Sequence, residues 1–298
     1  MKIVNLIENT EGREGIISAH GLSFYIETAK HKILLDLGPS DETLKNAKIL
    51  GINLKDIDIV ILSHGHYDHS GGITPFIKIN DKALIYMQQS ATKDYYADDG
   101  KNATERFRYI GIDKEIKKLS QVRFLNGDKK IDEELELFVI QKRSHELPFA
   151  NKRLLVMKEK FLENRKLKNK PVEIEFEEND FIRDDFTHEH FLVIHEEGKD
   201  ILMSGCAHNG ILSIMDEYIS RYKKEPDVVV SGFHLMKKTD YKKGEIQEIK
   251  AIAKELKKYK TKFFTCHCTG VPAYEVMKDI MGDNLEYVHS GEDVIVDL

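Results

Sequence analysis

The stretch ILSHGHYDHSGG (residues 61–72) places three histidines and an aspartate within six positions, directly after an apolar run. Imidazole and carboxylate groups at this density are typical of a metal site. On an extended backbone, residues two apart point the same way, so His64 and His66 can bind one ion. Asp68 and His69 follow one turn later and point differently, so we expect them to reach a second ion.

Composition limits the partners and the compartment. The chain has 298 residues, 41% of them hydrophobic, and this length predicts one large domain over residues 1–298. A formal net charge of −6 leaves no basic footprint, so we expect a small-molecule substrate and no nucleic acid. Three cysteines are too few for a disulfide framework, and no signal segment or bilayer-length apolar run is present. We therefore expect a cytoplasmic protein without a membrane partner; the composition predicts no particular oligomeric state.

Strand and helix patterns alternate along the chain. Residues 22–28 and 32–38 are predicted strands joined by a short turn, and residues 40–51 are a predicted short helix. The apolar, β-branched run at residues 56–63 predicts a strand buried on both faces. The metal loop therefore leaves a central strand, where α/β sheets tend to bind ligands. This alternation predicts an α/β fold in which helices cover the sheets.

The charged stretch at residues 151–185 interrupts two strand patterns. Its weak periodicity indicates an inserted, partly helical excursion. Such an insertion is either a lid over the site or a plain surface insertion.

At the metal loop, SHGHYDHSGG resembles the signature of the metallo-β-lactamase superfamily, which consists of hydrolases and their relatives. The upstream segment GLSFYIETAKHKILLDLG (residues 21–38) is similar to the opening hairpin of that superfamily. Asp36 stands at the position whose residue usually supports the metal loop in that superfamily. The resemblance implies a four-layer αββα sandwich.

The same resemblance implies further ligands. Cys206, in ILMSGCAHNG, stands where many members have a bridging aspartate, and thiolate is a good ligand of zinc and iron. His267, in FFTCHCTG, resembles the final ligand of the superfamily. The flanking Cys266 and Cys268 point away from His267 on an extended strand, so we assign both to the core or the rim.

The third histidine of the first metal site has several candidates. His188 is favoured by its register in DDFTHEHFLVI, while His145 and His190 stay open as alternatives. His208 can be a ligand or a proton carrier. The expected ligands of the first metal are His64, His66 and His188, and those of the second are Asp68, His69, Cys206 and His267.

Other polar residues are candidates for catalysis and substrate binding. Asp68 or His208 is expected to take a proton during the reaction. His20 and His234 each lie beside a glycine at a predicted strand edge, where they can bind substrate or transfer protons.

The expected activity is that of a metal-dependent hydrolase or transferase with two divalent ions, most simply zinc, with manganese or iron as alternatives. The segments HGLSFYIET, SGCAHNGI, SGFHL and HCTG together resemble the subgroup that contains the dihydropterin synthase of the methanopterin pathway. That resemblance implies a phosphorylated or pterin-like substrate. A diiron redox enzyme of this fold typically has a carboxylate where His66 stands, so it is an alternative, as is a thioester or lactone hydrolase.

Overall fold

A computed structural model describes residues 1–159 and 176–295. Its strands are β1 (Lys2–Ile7), β2 (Ser23–Glu27), β3 (Lys32–Leu35), β4 (Ile59–Ile61), β5 (Leu84–Gln88), β6 (Tyr95–Asp98), β7 (Phe107–Tyr109), β8 (Val122–Leu125), β9 (Lys129–Lys130), β10 (Leu135–Phe138), β11 (Leu154–Met157), β12 (Phe181–Arg183), β13 (Phe191–Glu196), β14 (Lys199–Met203), β15 (Val228–Val230), β16 (Lys262–Thr265), β17 (Leu285–Tyr287) and β18 (Asp293–Val294). Its α-helices are α1 (Glu42–Ile49), α2 (Tyr67–Ser70), α3 (Ile73–Phe76), α4 (Ile211–Tyr222), α5 (Lys243–Leu256) and α6 (Val271–Met281).

Two seven-stranded sheets form the centre of the molecule. The first has the order β18-β1-β2-β3-β4-β5-β8, with antiparallel pairs up to β3 and parallel pairs from β3 to β8. The second has the order β17-β16-β15-β14-β13-β10-β9 and is parallel from β14 to β17. The metal loop follows the parallel strand β4 of the first sheet, and two further loops follow the parallel strands β14 and β16 of the second sheet. Because α/β sheets bind ligands at the carboxyl ends of parallel strands, loops from both sheets can meet there.

The two sheets pack face to face through alternate side chains of their strands. Ile59 and Ile61 of β4 point into the core between the sheets, where they join Leu192, Met203 and Phe264 of the second sheet. Val60, between them, points the other way, toward helices α1 and α3. This strand is therefore buried on both faces, as its apolar run predicts.

Helices cover the outer face of each sheet. On the second sheet, α5 presents Ile249, Ala253 and Leu256 at helical spacing to the same core as Met215 of α4 and Met277 of α6. Helices α1 and α3 cover the first sheet in the same way. The order of layers is helix, sheet, sheet, helix, which is the predicted αββα sandwich.

A third, four-stranded antiparallel sheet has the order β12-β11-β6-β7 and lies beside the metal loop. Strands β11 and β12 belong to the predicted insertion at residues 151–185, as does a short 3-10 turn at Glu178–Asp180. Residues 160–175 lie outside the described residues, so the partly helical character of the insertion stays a prediction. Its role as a lid stays a prediction.

No helix within residues 1–159 and 176–295 has the length and apolar character needed to cross a membrane.

Candidate metal centre

The four predicted donors of the metal loop follow β4 and are all buried. The ring centroid of His64 lies 4.6 Å from that of His66 and 4.2 Å from that of His69. His66 precedes α2, and its backbone pairs with Gly111 in an isolated bridge. The loop therefore gathers its imidazoles around one space.

Asp36 holds this loop from the neighbouring strand end. One of its carboxylate oxygens accepts the Ser63 N–H at 2.7 Å, and the other accepts the Ser63 hydroxyl at 2.6 Å and Nδ1–H of His69 at 2.6 Å. The Ser63 oxygen in turn accepts Nδ1–H of His64 at 2.8 Å. Because Nδ1 carries the proton in both rings, Nε2 of each ring is left to face the centre.

The second sheet contributes the loop that follows β14. His208 places Nε2 3.3 Å from Nε2 of His64, and Cys206 places Sγ 3.2 Å from Nε2 of His69. Donor atoms of His64, Cys206 and His208 lie within 4.8 Å of one another, as do those of His69, Cys206 and His267. Cys206 is therefore common to two neighbouring donor groups.

His267 reaches the centre from the end of β16 and is oriented by the N-terminal segment. Its backbone N–H donates to Glu8 at 2.9 Å, and its Nδ1–H donates to Oδ1 of Asn9 at 2.8 Å. Its Nε2 lies 3.6 Å from Oδ2 of Asp68. His267 therefore presents the same ring nitrogen as His64 and His69.

His188 has a different set of partners from the expected one. Its Nδ1 accepts the Gly65 N–H at 2.9 Å, so Nε2 carries the proton and donates to Asp184 at 3.0 Å. It lies beside His66, with ring centroids 5.3 Å apart, and forms a donor group with His66 and Asp184. In this hydrogen-bonded state it has no lone pair directed at His64, and its expected role as a ligand of the first metal stays a prediction.

The two alternatives to His188 lie away from the donor groups. His145 pairs with Asp216 at 3.0 Å on the surface. His190 is buried, with Nε2 2.9 Å from the Leu62 carbonyl and Nδ1 3.2 Å from the amide of Gln88. Both ring nitrogens of His190 therefore have partners within the core.

The two histidines predicted to bind substrate lie at the edge of the centre. His20 is about half exposed, and its Nε2 lies 3.4 Å from Oδ2 of Asp68. The His234 ring lies 4.1 Å from the His208 ring, and its Nδ1 is buried with no hydrogen-bond partner among the described residues. Their places are compatible with the predicted role, which stays a prediction.

Of the two cysteines that flank His267, one lies in the core and the other lies beside the site. Cys266 belongs to the core between the two sheets. Cys268 lies in a donor group with Cys206 and His234. Burial and the neighbouring Cys268 thiol raise the pKa of Cys206, so its thiol keeps its proton unless a cation lies beside it.

Burial keeps most of the clustered imidazoles neutral. Burial, reinforced by the neighbouring histidines, lowers the pKa of His64 and His208, and that of His66 to about 3. Burial also opposes the charge of His69, but Asp36 and Asp68 outweigh it and raise its pKa to about 9. Neutral imidazole is the form that binds metal, and His69 must release a proton to do so.

The backbone around the centre adopts unusual conformations. Asp36, Ala207, His234 and His267 all have positive φ, between 46° and 61°. Positive φ is uncommon outside glycine and is concentrated at functional sites, where the surrounding structure enforces it.

The residues fit a bound metal. Nε2 of His66 and of His267 is buried with no hydrogen-bond partner among the described residues, although such atoms normally have one. A metal ion would satisfy both lone pairs, and the imidazole, carboxylate and thiol donors suit a divalent transition metal.

Sequence reasoning missed the residues that orient these donors. Glu8 and Asn9 hold His267, and Asp184 pairs with His188. Asn151 accepts Nδ1–H of His208 at 2.9 Å and donates to its carbonyl at 2.7 Å. The buried Glu189 accepts the N–H of His208 at 2.7 Å. Their distance along the chain from the metal loop left no local pattern that could have identified them.

Comparison with known proteins adds a family and two relatives. The family described as the metallo-beta-lactamase superfamily matches residues 19–218. The 7,8-dihydropterin-6-methyl-4-(beta-D-ribofuranosyl)-aminobenzene-5'-phosphate synthase of Methanocaldococcus jannaschii is 29% identical over 98% of this chain and 95% of its own length. The uncharacterized protein MJ0448 of the same organism is 27% identical over 96% of this chain and 97% of its own.

A solved structure with the same fold is that of Tm1679, described as a metal-dependent hydrolase of the beta-lactamase superfamily. It is 26% identical to this chain, covers 99% of both chains and superposes with a TM-score of 0.74.

Proposed function

The chain belongs to the metallo-beta-lactamase superfamily, and we propose that it is a metal-dependent hydrolase or transferase that uses two divalent cations. The first cation is held by His64, His66 and His208, and the second by Asp68, His69 and His267. Cys206 lies between the two groups and is available to both.

One observation carries this proposal. Hydrogen bonds fix the proton of His64, His69, His208 and His267 on Nδ1, so that all four present Nε2 to the same buried space. The His66 ring lies 4.8 Å from the His208 ring, and its Nε2 is buried without a hydrogen-bond partner among the described residues. Nε2 of His66 and of His267 has no hydrogen-bond partner among the described residues, and a buried lone pair of this kind is costly unless a cation binds it.

His208 therefore takes the place expected for His188. The proton of His188 lies on Nε2 and is donated to Asp184, so this ring supports His66 from the side. We propose that His188 and Asp184 orient His66 and that His208 completes the first site.

The protein side chains define what the site can do. When bound, a pair of divalent cations supplies Lewis acidity for a carbonyl or phosphoryl oxygen and lowers the pKa of water. The charge of His69, with His267 and His20 close by, overcomes burial and holds the pKa of Asp68 well below its usual range, so Asp68 stays ionised. Asp68 can orient an incoming hydroxyl group by accepting its hydrogen bond. His234 offers Nδ1 at the other edge, where it can hold a proton.

The relatives support a proposal for the substrate class. The dihydropterin synthase of M. jannaschii resembles this chain over nearly its whole length. We propose a phosphorylated or pterin-like small molecule as the substrate, and zinc, for which the thiol of Cys206 is a suitable ligand, as the metal, with manganese or iron as alternatives.

Metal content tests the proposal first. Protein purified without added metal, and then titrated with zinc, should hold about two ions per chain by elemental analysis. His66→Ala should lower this content and nearly abolish turnover of phosphate esters. The control His145→Ala alters a histidine paired with Asp216 on the surface and should keep both ions. Wild-type protein that takes up no metal, or His66→Ala protein that keeps two ions, would refute the proposal.

A further inference from the structure

Two arginines meet on one carboxylate beside the metal loop. Arg108 lies in β7, and Nε donates to Oδ2 of Asp99 at 2.7 Å. Arg153 directly precedes β11, and Nη1 donates to Oδ1 of the same aspartate at 2.5 Å. Ala97 of β6 pairs with Arg108 on one side and with Leu154 on the other, which brings the two arginines together across the sheet.

The metal loop is attached to the strand that carries Arg108. The Tyr67 N–H donates to the Ile110 carbonyl at 2.9 Å, and His66 forms a bridge with Gly111. These backbone contacts hold the end of β7 against the metal loop. Arg108 therefore lies on a strand that adjoins the loop carrying Asp68.

The Arg108 side chain reaches the loop itself. It forms a hydrogen bond with the side chain of Tyr67, which stands between His66 and Asp68 in the sequence. Asp68 in turn helps raise the pKa of Arg108, after the larger effect of its hydrogen bond with Asp99. The two guanidinium groups thus lie at the rim of the metal centre, next to a partly exposed tyrosine.

The cluster carries more positive charge than its carboxylate can neutralise. Arg108, Arg153 and Lys238 all act on Asp99, which bears a single negative charge. Each arginine has five N–H donors, and Asp99 accepts two from Arg108 and one from Arg153. The side chains of Arg108 and Arg153 are 34% and 48% exposed, so a ligand can reach their remaining donors.

We propose that Arg108 and Arg153 form the subsite that binds the phosphate group of the substrate while its reacting end lies at the metal centre. The inference rests on the proposed function and adds the residues that recognise the phosphate monoester. Guanidinium groups bind phosphate through paired, charge-assisted hydrogen bonds, and Asp99 holds both side chains in position before the ligand arrives. In a chain of net charge −6, this local excess of cations favours an anion at this rim.

Ribose 5-phosphate and ribose are suitable probes because they differ only in the phosphate group. Their binding to the metal-loaded, full-length chain should be measured by isothermal titration calorimetry. We expect wild-type protein to prefer ribose 5-phosphate, and Arg108→Gln/Arg153→Gln protein to bind it at least about tenfold more weakly. Metal content should stay unchanged.

Arg106→Gln is the matched control. Arg106 lies two positions from Arg108, but it turns over the Phe107 ring and pairs with Asp98 and Glu178. This variant should bind ribose 5-phosphate as wild type does. Arg108→Lys keeps the charge but loses the paired donors, so it should fall between wild type and Arg108→Gln. If the double variant does not fold, Arg153→Gln and Arg108→Lys decide the question.

The possible outcomes separate this inference from the proposed function. Unchanged ribose 5-phosphate binding in folded variants, with or without lower thermal stability, would show that the arginines only tie the strands together and would overturn the subsite. Failure of wild-type protein to distinguish the two sugars would overturn it as well. Protein that holds no metal but binds ribose 5-phosphate through both arginines would refute the metal mechanism and leave the subsite standing.

Discussion

A pair of hydrogen bonds from Asn151 determines which nitrogen of His208 faces the metal loop. The side-chain oxygen of Asn151 accepts Nδ1–H, while its amide donates to the backbone carbonyl of the same histidine. This double contact fixes both the tautomer and the ring plane, and Phe186 stacks on the ring at 4.7 Å with an interplanar angle of 2°. His208 is thereby oriented before any ligand binds, which lowers the cost of binding.

His208 and His188 can be distinguished by substitution. We expect His208→Ala to lose about one of two metal ions, because it removes a lone pair that faces His64. His188→Ala should keep both ions at saturating metal but bind them roughly 10- to 100-fold more weakly, because it removes a residue that orients a metal ligand. Elemental analysis and metal titration measure both effects. The reverse pattern would restore His188 to the first site.

The sequence predicts the donors that are close together in the chain, but it does not decide between two histidines that lie further along it. His64, His66, Asp68 and His69 share one loop, so their spacing alone brings them together. The choice between His188 and His208 depends on which hydrogen bonds each ring makes, and the partners Asp184 and Asn151 lie on other segments. No local pattern carries that information.

The metal loop and the segment that follows β3 pack backbone against backbone. Gly71, at the end of α2, leaves so little room that a Cβ atom there would lie 1.9 Å from the Pro39 carbonyl oxygen. The Leu37 N–H also donates to the His69 carbonyl at 2.8 Å. The position of α2, and hence of Asp68 and His69, depends on this close approach.

Gly71→Ala should therefore destabilise the protein, because the new methyl group forces two backbone segments apart. We expect a loss of about 1–3 kcal/mol in the free energy of unfolding, measured by urea denaturation. Gly244→Ala is the control, since nothing lies within 4 Å of a Cβ at this exposed position of α5. It should be neutral or gain up to about 1 kcal/mol. Equal stability of the Gly71→Ala variant would contradict the packing argument.

The opening strands are more predictable than those of the small sheet. The sequence predicts strands at residues 22–28 and 32–38, and the structure has β2 and β3 within them. Two strands of the small sheet, β11 and β12, escaped prediction because they lie in the charged insertion, whose weak periodicity hides them. Short strands of this kind are stabilised by the strands beside them more than by their own pattern.

His31 joins the two large sheets at the end away from the metal centre. It lies in the turn between β2 and β3, and its Nδ1 is 3.0 Å from Oδ2 of Asp58, which directly precedes β4 of the first sheet. Its Nε2 lies 2.6 Å from Asp132, between β9 and β10 of the second sheet. Burial opposes the charge of His31, but hydrogen bonds with both carboxylates outweigh it and raise its pKa.

The stabilisation from His31 should therefore depend on pH. A raised folded pKa means that its contribution is fully present below the unfolded value of 6.5 and is lost as the pH rises through the folded value. We expect His31→Gln to cost roughly 1 kcal/mol at pH 6 and much less at pH 9. Urea unfolding of wild type and variant at both pH values measures the difference, since other titrating groups cancel. The same cost at both pH values would show that packing, and not charge, is lost.

The division of the predicted ligands between two sheets has a consequence for protein synthesis. The metal loop follows β4, whereas His208 and His267 follow β14 and β16. Roughly 200 residues separate His69 from His267, which at about 5–20 residues per second means a delay of roughly 10–40 s on the ribosome. During that interval the nascent chain exposes the loop with half of its coordination sphere missing. If the proposed ligands hold the metal, the complete site can bind it only after His267 has been synthesised, and until then the loop alone would select any ion that tolerates an open site.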